Sequence, residues 1–187
     1  MRKYWKLTTQ MHKAEDITQY EFNSTDQLLL DTNVWLFLYG PQTPRNHQVD
    51  TYSQAYGKIL AARSRIYIDV LIISEFINAY ARIKWKSSNN SSTKFKRFRN
   101  SKDFKAIAKD IAGDAERVLQ YCTRVESGFD SVKIDSLIEE YGAGSSDFND
   151  QILTTICRKK RLKLVTDDGD FRDCGITIIT ANQRLLV

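Results

Sequence analysis

Hydrophobic residues along the chain alternate between two rhythms. Short apolar runs at Gln27–Leu30, Arg65–Asp69, Leu162–Val165 and Thr177–Ile179 are bounded by polar or turn-forming residues and read as buried strands. Ser131–Ile134 reads as a further short strand. Between them the apolar positions follow helical spacing. Val34–Tyr39 is stopped by Gly40-Pro41, Gln48–Arg63 forms a longer helix, and Ser74–Lys86 starts with Ser74 as a natural N-cap. The polar, low-complexity run SSNNSSTK then breaks the pattern and reads as a loop. Helical periodicity resumes from Phe104 to about Val125 and again over Asp135–Tyr141, which Gly142-Ala143-Gly144 ends. A last helix, capped by Ser146 or Asp147, runs to about Lys160. Strands separated by helices need crossover connections, so the expected class is α/β with a parallel sheet.

Length and composition narrow the setting. A chain of 187 residues, 42% hydrophobic and 27% charged, suits one compact domain with a substantial core. The division it suggests is an extension over residues 1–26 and a domain over 27–187, with a basic insertion at about 87–105. No run has the length of a signal sequence or a membrane span, so the expectation is a soluble, cytoplasmic protein with no membrane partner. Cys122, Cys157 and Cys174 have no CxxC spacing, which points to reduced, partly buried thiols and away from disulfides or a zinc knuckle.

A net charge of +5 favours a polyanionic partner, and nucleic acid is the first candidate. The distribution sharpens this. Between Lys84 and Lys105 eight positions are Lys or Arg against the single acid Asp103, with Trp85, Phe95 and Phe98 interleaved. Lys94, Lys96, Arg97 and Arg99 are the candidate RNA-contacting residues, and Phe95 and Phe98 either stack on bases or pack on the domain.

Acidic residues fall where a parallel sheet binds its ligands, just beyond the carboxyl ends of strands. Asp31 follows LLL, Asp167 and Asp168 follow LKLVT, Glu75 lies in the expected first turn of a helix after a third strand, and Asp147 and Asp150 share one face at the start of another. Each has an ordinary structural explanation as a helix cap, a first-turn charge or a turn residue. Four chain segments offering carboxylates to one edge is a different matter, because such a cluster is tolerable only when protons or cations neutralise it. Oxygen ligands without a nearby histidine select a hard cation, Mg2+ or Mn2+, over zinc or iron. Such an ion can activate water for attack on a phosphodiester.

The segments Asp31-Thr32-Asn33-Val34, Ile73-Ser74-Glu75-Phe76, Asp147-Phe148-Asn149-Asp150-Gln151-Ile152 and Leu164-Val165-Thr166-Asp167-Asp168-Gly169-Asp170-Phe171 resemble the four acidic motifs of PIN-domain nucleases, in the family's order. The resemblance covers about Gln27 to Ile179. It implies a three-layer α/β/α sandwich and a metal-dependent endoribonuclease yielding 5′-phosphate and 3′-hydroxyl ends. By motif position, Asp31, Glu75, Asp150 and Asp168 would be catalytic and would hold the metal, with Asp147 and Asp170 as supporting acids. Asn33 and Thr166 match polar positions that steady the cluster, and Asp167 stands where the motif often lacks a charge, so ligation could be shared between it and the preferred Asp168. The resemblance also implies a homodimer, to which the apolar Trp35–Tyr39 stretch could contribute. It makes the toxin of a toxin–antitoxin pair, with a separate antitoxin protein as partner, a plausible role.

Other classes fit less well. A haloacid-dehalogenase-type phosphatase needs a second Asp where Asn33 stands, and the early acids are not arranged as in a response-regulator receiver. The alternative outside enzymes is a catalytically degenerate PIN domain acting as an RNA- or protein-binding scaffold. Retention of all four carboxylates speaks against it, since a scaffold gains nothing from their repulsion.

Overall fold

A computed structural model of the chain describes residues 14–41, 46–88, 92–144 and 147–186. Six parallel strands make one sheet: β1 (Ala14–Asp16), β2 (Gln27–Leu30), β3 (Arg65–Ile68), β4 (Cys122–Arg124), β5 (Lys163–Val165) and β6 (Ile178–Thr180), in the order β1-β6-β5-β2-β3-β4. Seven helices surround it among the described residues: α1 (Thr32–Tyr39), α2 (His47–Ala61), α3 (Val70–Lys86), α4 (Phe95–Arg99), α5 (Phe104–Gln120), α6 (Ile134–Gly142) and α7 (Phe148–Lys160). The fold is a three-layer α/β/α sandwich. From β2 the chain steps one way to β3 and β4, then crosses back over β2 to β5 and β6. Right-handed crossovers in opposite directions put their helices on opposite faces. Between β2 and β5 the direction of winding reverses, and such a switch point opens a crevice at the carboxyl edge of the sheet.

The central strands are apolar on both sides because helices cover both faces. Leu28, Leu29, Leu30, Leu164, Val165 and Ile179 are all fully buried, packed against Trp35, Phe76 and Ile156 from the helices. Trp35 is an internal residue, in ring contact with Tyr39 and Tyr56, whereas Leu36, Phe37, Leu38 and Tyr39 are half-buried. At the opposite, amino edge, the Lys163 ammonium donates to Asp26 Oδ1 (2.7 Å) and to the Tyr20 hydroxyl, tying the segment before β2 to the sheet.

The elements depart from the sequence pattern in several places. The helix expected from Ser74 begins four residues earlier at Val70, capped by Asp69, whose carboxylate accepts the Leu71 N–H (2.9 Å). Glu75 therefore sits in the second turn, not the first. The helix expected to run to Val125 ends at Gln120, and Cys122–Arg124 turns into edge strand β4 beside β3. No strand forms at Ser131–Ile134; Phe129–Ser131 is a single tight helical turn and α6 starts at Ile134. Strand β1, inside the segment set apart as an extension, pairs with β6. The rest of that extension, residues 1–13, lies outside the described residues, as do residues 89–91 of the polar loop and the alternative cap Ser146. Cys122, Cys157 and Cys174 are free thiols and none is exposed. Among the described residues no helix is long and apolar enough to cross a membrane.

Candidate active site

Asp31 occupies the switch point. Its backbone N–H extends the ladder to the Val165 carbonyl (2.9 Å), and its side chain caps α1 by accepting the Thr32 N–H on Oδ1 (2.6 Å). Oδ2 accepts two further bonds, from Asn33 Nδ2 (2.6 Å) and from the Thr166 hydroxyl (2.7 Å). The Asn33 amide has its orientation set from both ends, since its Oδ1 accepts the Asp167 N–H (3.2 Å). Thr166, fully buried after β5, is the hub: besides donating to Asp31 it accepts from Asn33 Nδ2 (3.1 Å) and from the Asp168 N–H (3.0 Å). A single hydroxyl thus couples the ends of two neighbouring strands.

The other acids arrive on separate elements. Glu75 projects from α3, exposed, and its Oε2 accepts from the Thr32 hydroxyl (3.2 Å). Asp147 caps α7 by accepting the Asn149 N–H (2.8 Å), and Asp150 lies half-buried in the first turn of the same helix. Asp168 caps the short turn Gly169–Phe171, its Oδ1 accepting the Asp170 N–H (3.0 Å).

Their charges act on one another. Burial, together with the negative charges of Glu75 and Asp168, outweighs the hydrogen bonds from Thr166 and Thr32 and pushes the Asp31 carboxyl up to about 6. Burial and then the charges of Asp31, Asp147, Asp168 and Glu75 push Asp150 up to about 7. So Asp31, Glu75, Asp147, Asp150 and Asp168 share one electrostatic environment. Asp167 lies beside them, its carboxyl raised by burial and by the charge of Asp168 against the bond from Tyr52. Its Oδ1 receives the Tyr52 hydroxyl (3.0 Å), which also donates toward the Thr166 carbonyl (2.9 Å) and accepts the Ala181 N–H (3.1 Å). Asp170 is exposed and stands with Asp150 on the wall of a neighbouring cavity.

Among the described residues no three His, Cys, Asp or Glu side chains form a ready-made metal cage. The donor set nevertheless suits a hard divalent cation: it is built of carboxylates, two of them hold protons far more tightly than free acids do, and Asp31 Oδ1 keeps acceptor capacity beyond its bond to Thr32.

Lys96, Arg97 and Arg99 are exposed on α4, and Lys94 is exposed at its start. Phe98 is buried against Phe104, and Phe95 packs on Trp85 beneath the Arg82 guanidinium (4.8 Å). Both phenylalanines anchor the helix to the domain. Thr32, Tyr52 and Asn182, whose Nδ2 donates to the Asp167 carbonyl (2.6 Å), were not singled out by the sequence pattern. Thr32 alone left a signal there, by its place next to Asp31; the others come from distant segments.

A PIN domain family model matches residues 28–176. PIN domains are generally nucleases, often acting on RNA, and typically use divalent metals. A search of curated proteins found no match.

Proposed function

From the premise that the chain belongs to the PIN-domain family, we propose that it is a metal-dependent endoribonuclease hydrolysing RNA phosphodiester bonds. The observation that carries this is the convergence at the switch point of carboxyls from different elements, with Asp31 raised by burial and the charges of Glu75 and Asp168, and Asp150 raised by burial and the charges of Asp31, Asp147, Asp168 and Glu75. Structural caps alone do not call for such repulsion.

Asp31, Glu75, Asp150 and Asp168 would hold Mg2+ or Mn2+. Bound there, the cation would activate water and offset charge developing on the leaving oxygen. The chain's own residues supply the rest. Thr166 and Asn33 hold Asp31 Oδ2, leaving Oδ1 the freer atom, and Thr32 orients Glu75 by a bond to one of its oxygens. Burial lowers the local dielectric and strengthens every charge interaction at the carboxyl edge. The basic arm lies on a path toward that edge. Helix α3 runs from the carboxyl to the amino edge, and α5, which leads into β4, must start again at the carboxyl edge. Helix α4 lies on the return, and Arg99 shares a groove with Asn78, one turn along α3 from Glu75. Arg99, with Lys94, Lys96 and Arg97 beside it, would thus guide an RNA backbone toward the acids.

RNA cleavage and thermal melting of wild type and Asp150→Asn, each with EDTA, Mg2+ and Mn2+, test this. We expect cleavage only in wild type with metal, and melting raised by metal because the ion binds the folded state alone. Cleavage that survives EDTA, or that is undiminished in Asp150→Asn, would sink the metal-nuclease assignment. RNA binding with no turnover under any metal would identify the scaffold instead. The toxin role and the homodimer rest on the family resemblance; growth arrest on expression, relieved by Asp150→Asn, and sedimentation as a dimer at micromolar concentration are their respective tests.

A further inference from the structure

A cavity of about 300 Å³ opens beside the acidic cluster and shares Asp150 with it. One side is the face of α7 that carries Asp150, Thr154 and Arg158 at successive four-residue steps, and the other carries Arg172 after the tight turn at Gly169–Phe171. Leu137 of α6 supplies an apolar wall, and the buried Phe171 closes the base. The lining mixes apolar surface with hydrogen-bonding groups, as small-molecule sites do, and its volume is at the lower end of theirs, enough for one nucleoside.

The two arginines give the cavity its chemistry. Arg158 Nη2 donates to the Cys174 carbonyl (2.9 Å) and Arg172 Nη2 to the Arg184 carbonyl (2.6 Å). Backbone acceptors therefore hold both guanidinium groups in place without neutralising them, and among the described residues neither makes an ion pair. Each keeps further N–H donors. Glu140, Asp150 and Asp170 line the same cavity, but neither guanidinium is paired with a carboxylate among the described residues, and anchored donors of this kind suit a phosphate. Arg158 stands two turns of α7 beyond Asp150, about 12 Å along the axis, a gap that one nucleotide closes with the reach of the arginine side chain back toward the helix N-terminus. Between them, the Thr155 hydroxyl, which donates to the Gln151 carbonyl (2.9 Å), keeps acceptor capacity for a base or sugar edge, and Leu137 and Phe171 offer apolar surface to its face.

We propose that this cavity binds the nucleotide flanking the scissile phosphate, with Arg158 and Arg172 holding that nucleotide's far phosphate. The proposal rests on the nuclease assignment for the position of the cut, and on the cavity alone for nucleotide binding. Discrimination among bases would then arise here, separately from the basic arm, which tracks the backbone.

Binding of a fluorescent single-stranded RNA in EDTA, measured by anisotropy across a salt series, separates the two. For Arg158→Met/Arg172→Met we expect affinity to fall about tenfold or more and the slope of log affinity on log salt to flatten by about 0.7, the value for one lost phosphate on a single strand. Because both arginines also hold backbone carbonyls, Arg158→Lys/Arg172→Lys serves as the second variant. It should keep most of the salt slope while losing affinity with the bidentate bonds. Titration of wild type with the four nucleoside monophosphates and with inorganic phosphate should show at least one nucleotide bound more tightly than phosphate. An unchanged slope in the Met variant, or equal binding of phosphate and all four nucleotides, overturns the proposal. If these binding differences hold but no metal supports cleavage, the nuclease assignment fails while the nucleotide site stands.

Discussion

At Asp31 and Asp150 the same substitution has different meanings. Asp150 is half-buried and sits among like charges, so Asp150→Asn removes repulsion with little change of shape. Asp31 is buried beneath three donors, and an amide there must turn its NH2 toward either the Thr32 N–H or the Asn33 NH2. Asn33 cannot flip to accommodate it, because its own carbonyl oxygen accepts the Asp167 N–H. Asp31→Asn should therefore cost about 1–3 kcal/mol, the penalty for a buried donor left facing a donor, whereas metal-free Asp150→Asn should melt at or above wild type. Thermal melts in EDTA decide between these outcomes, and a stabilised Asp31→Asn would contradict the hydrogen-bond pattern. Both carboxyls bind protons more readily folded than unfolded, their pKa values being raised from 3.8 to about 6 and about 7. Their contribution to stability is thus fully present below about pH 4 and is withdrawn as pH rises through about 6 and about 7. The difference in melting temperature between metal-free Asp150→Asn and wild type should accordingly grow from pH 5 to pH 8. A constant difference would show that Asp150 titrates normally.

Helix α3 shows at the level of elements what the chain pattern can and cannot reveal. The run Arg65 to Ile73 is apolar almost throughout, and a short apolar run cannot be divided into strand and helix by periodicity alone. Ser74 looked like the cap because serine is a preferred N-cap residue. In the fold Asp69 takes that place, 1% exposed, with its carboxylate on the Leu71 N–H and its own titration raised by burial against the bonds from Leu71 and Ser127. Asp69→Ala should cost about 1–2 kcal/mol, as for a lost cap, while Ser74→Ala, exposed inside the helix, should stay within about 0.5 kcal/mol of wild type. Chemical denaturation of both measures this; equal effects would return the cap to Ser74. The central strands were legible because burial on both faces makes them continuously apolar, as at Leu28–Leu30 and Leu164–Val165. Edge strands β1 and β4 were not, since three residues such as Cys122-Thr123-Arg124, partly exposed, owe their conformation to pairing with a distant neighbour. The positions of the acids just beyond strands were legible for the same reason the central strands were. The tie of Asp167 to Tyr52 was not, because that partner lies more than a hundred residues away in sequence.

Over the whole molecule, a net charge of +5 coexists with a carboxyl edge crowded with acids, so the positive charge must be concentrated elsewhere. Helix α4 carries much of it. Its aromatic residues are committed to packing: Phe98 is 2% exposed, and Phe95 lies under Arg82 and within 5.9 Å of Arg99. Of the two roles open to these rings, stacking on bases is therefore closed to Phe98, and the arm can act on RNA chiefly through charge. Contacts of that kind follow the salt dependence of counterion release and carry no sequence preference. Replacing Lys94, Lys96, Arg97 and Arg99 with Ala should then weaken binding of every single-stranded RNA alike and flatten the salt slope by about 2.8 if all four meet phosphates. Melting should change little, because the substitutions leave Phe95 and Phe98 in place and remove only the outer cation over the Phe95 ring. The Met substitutions at Arg158 and Arg172 should combine additively with these, the two groups lying on different elements without a shared partner. Anisotropy across a salt series, with melting as the control, gives the answer. Unchanged affinity and slope in the quadruple variant would make α4 a solvated surface whose charge serves solubility alone.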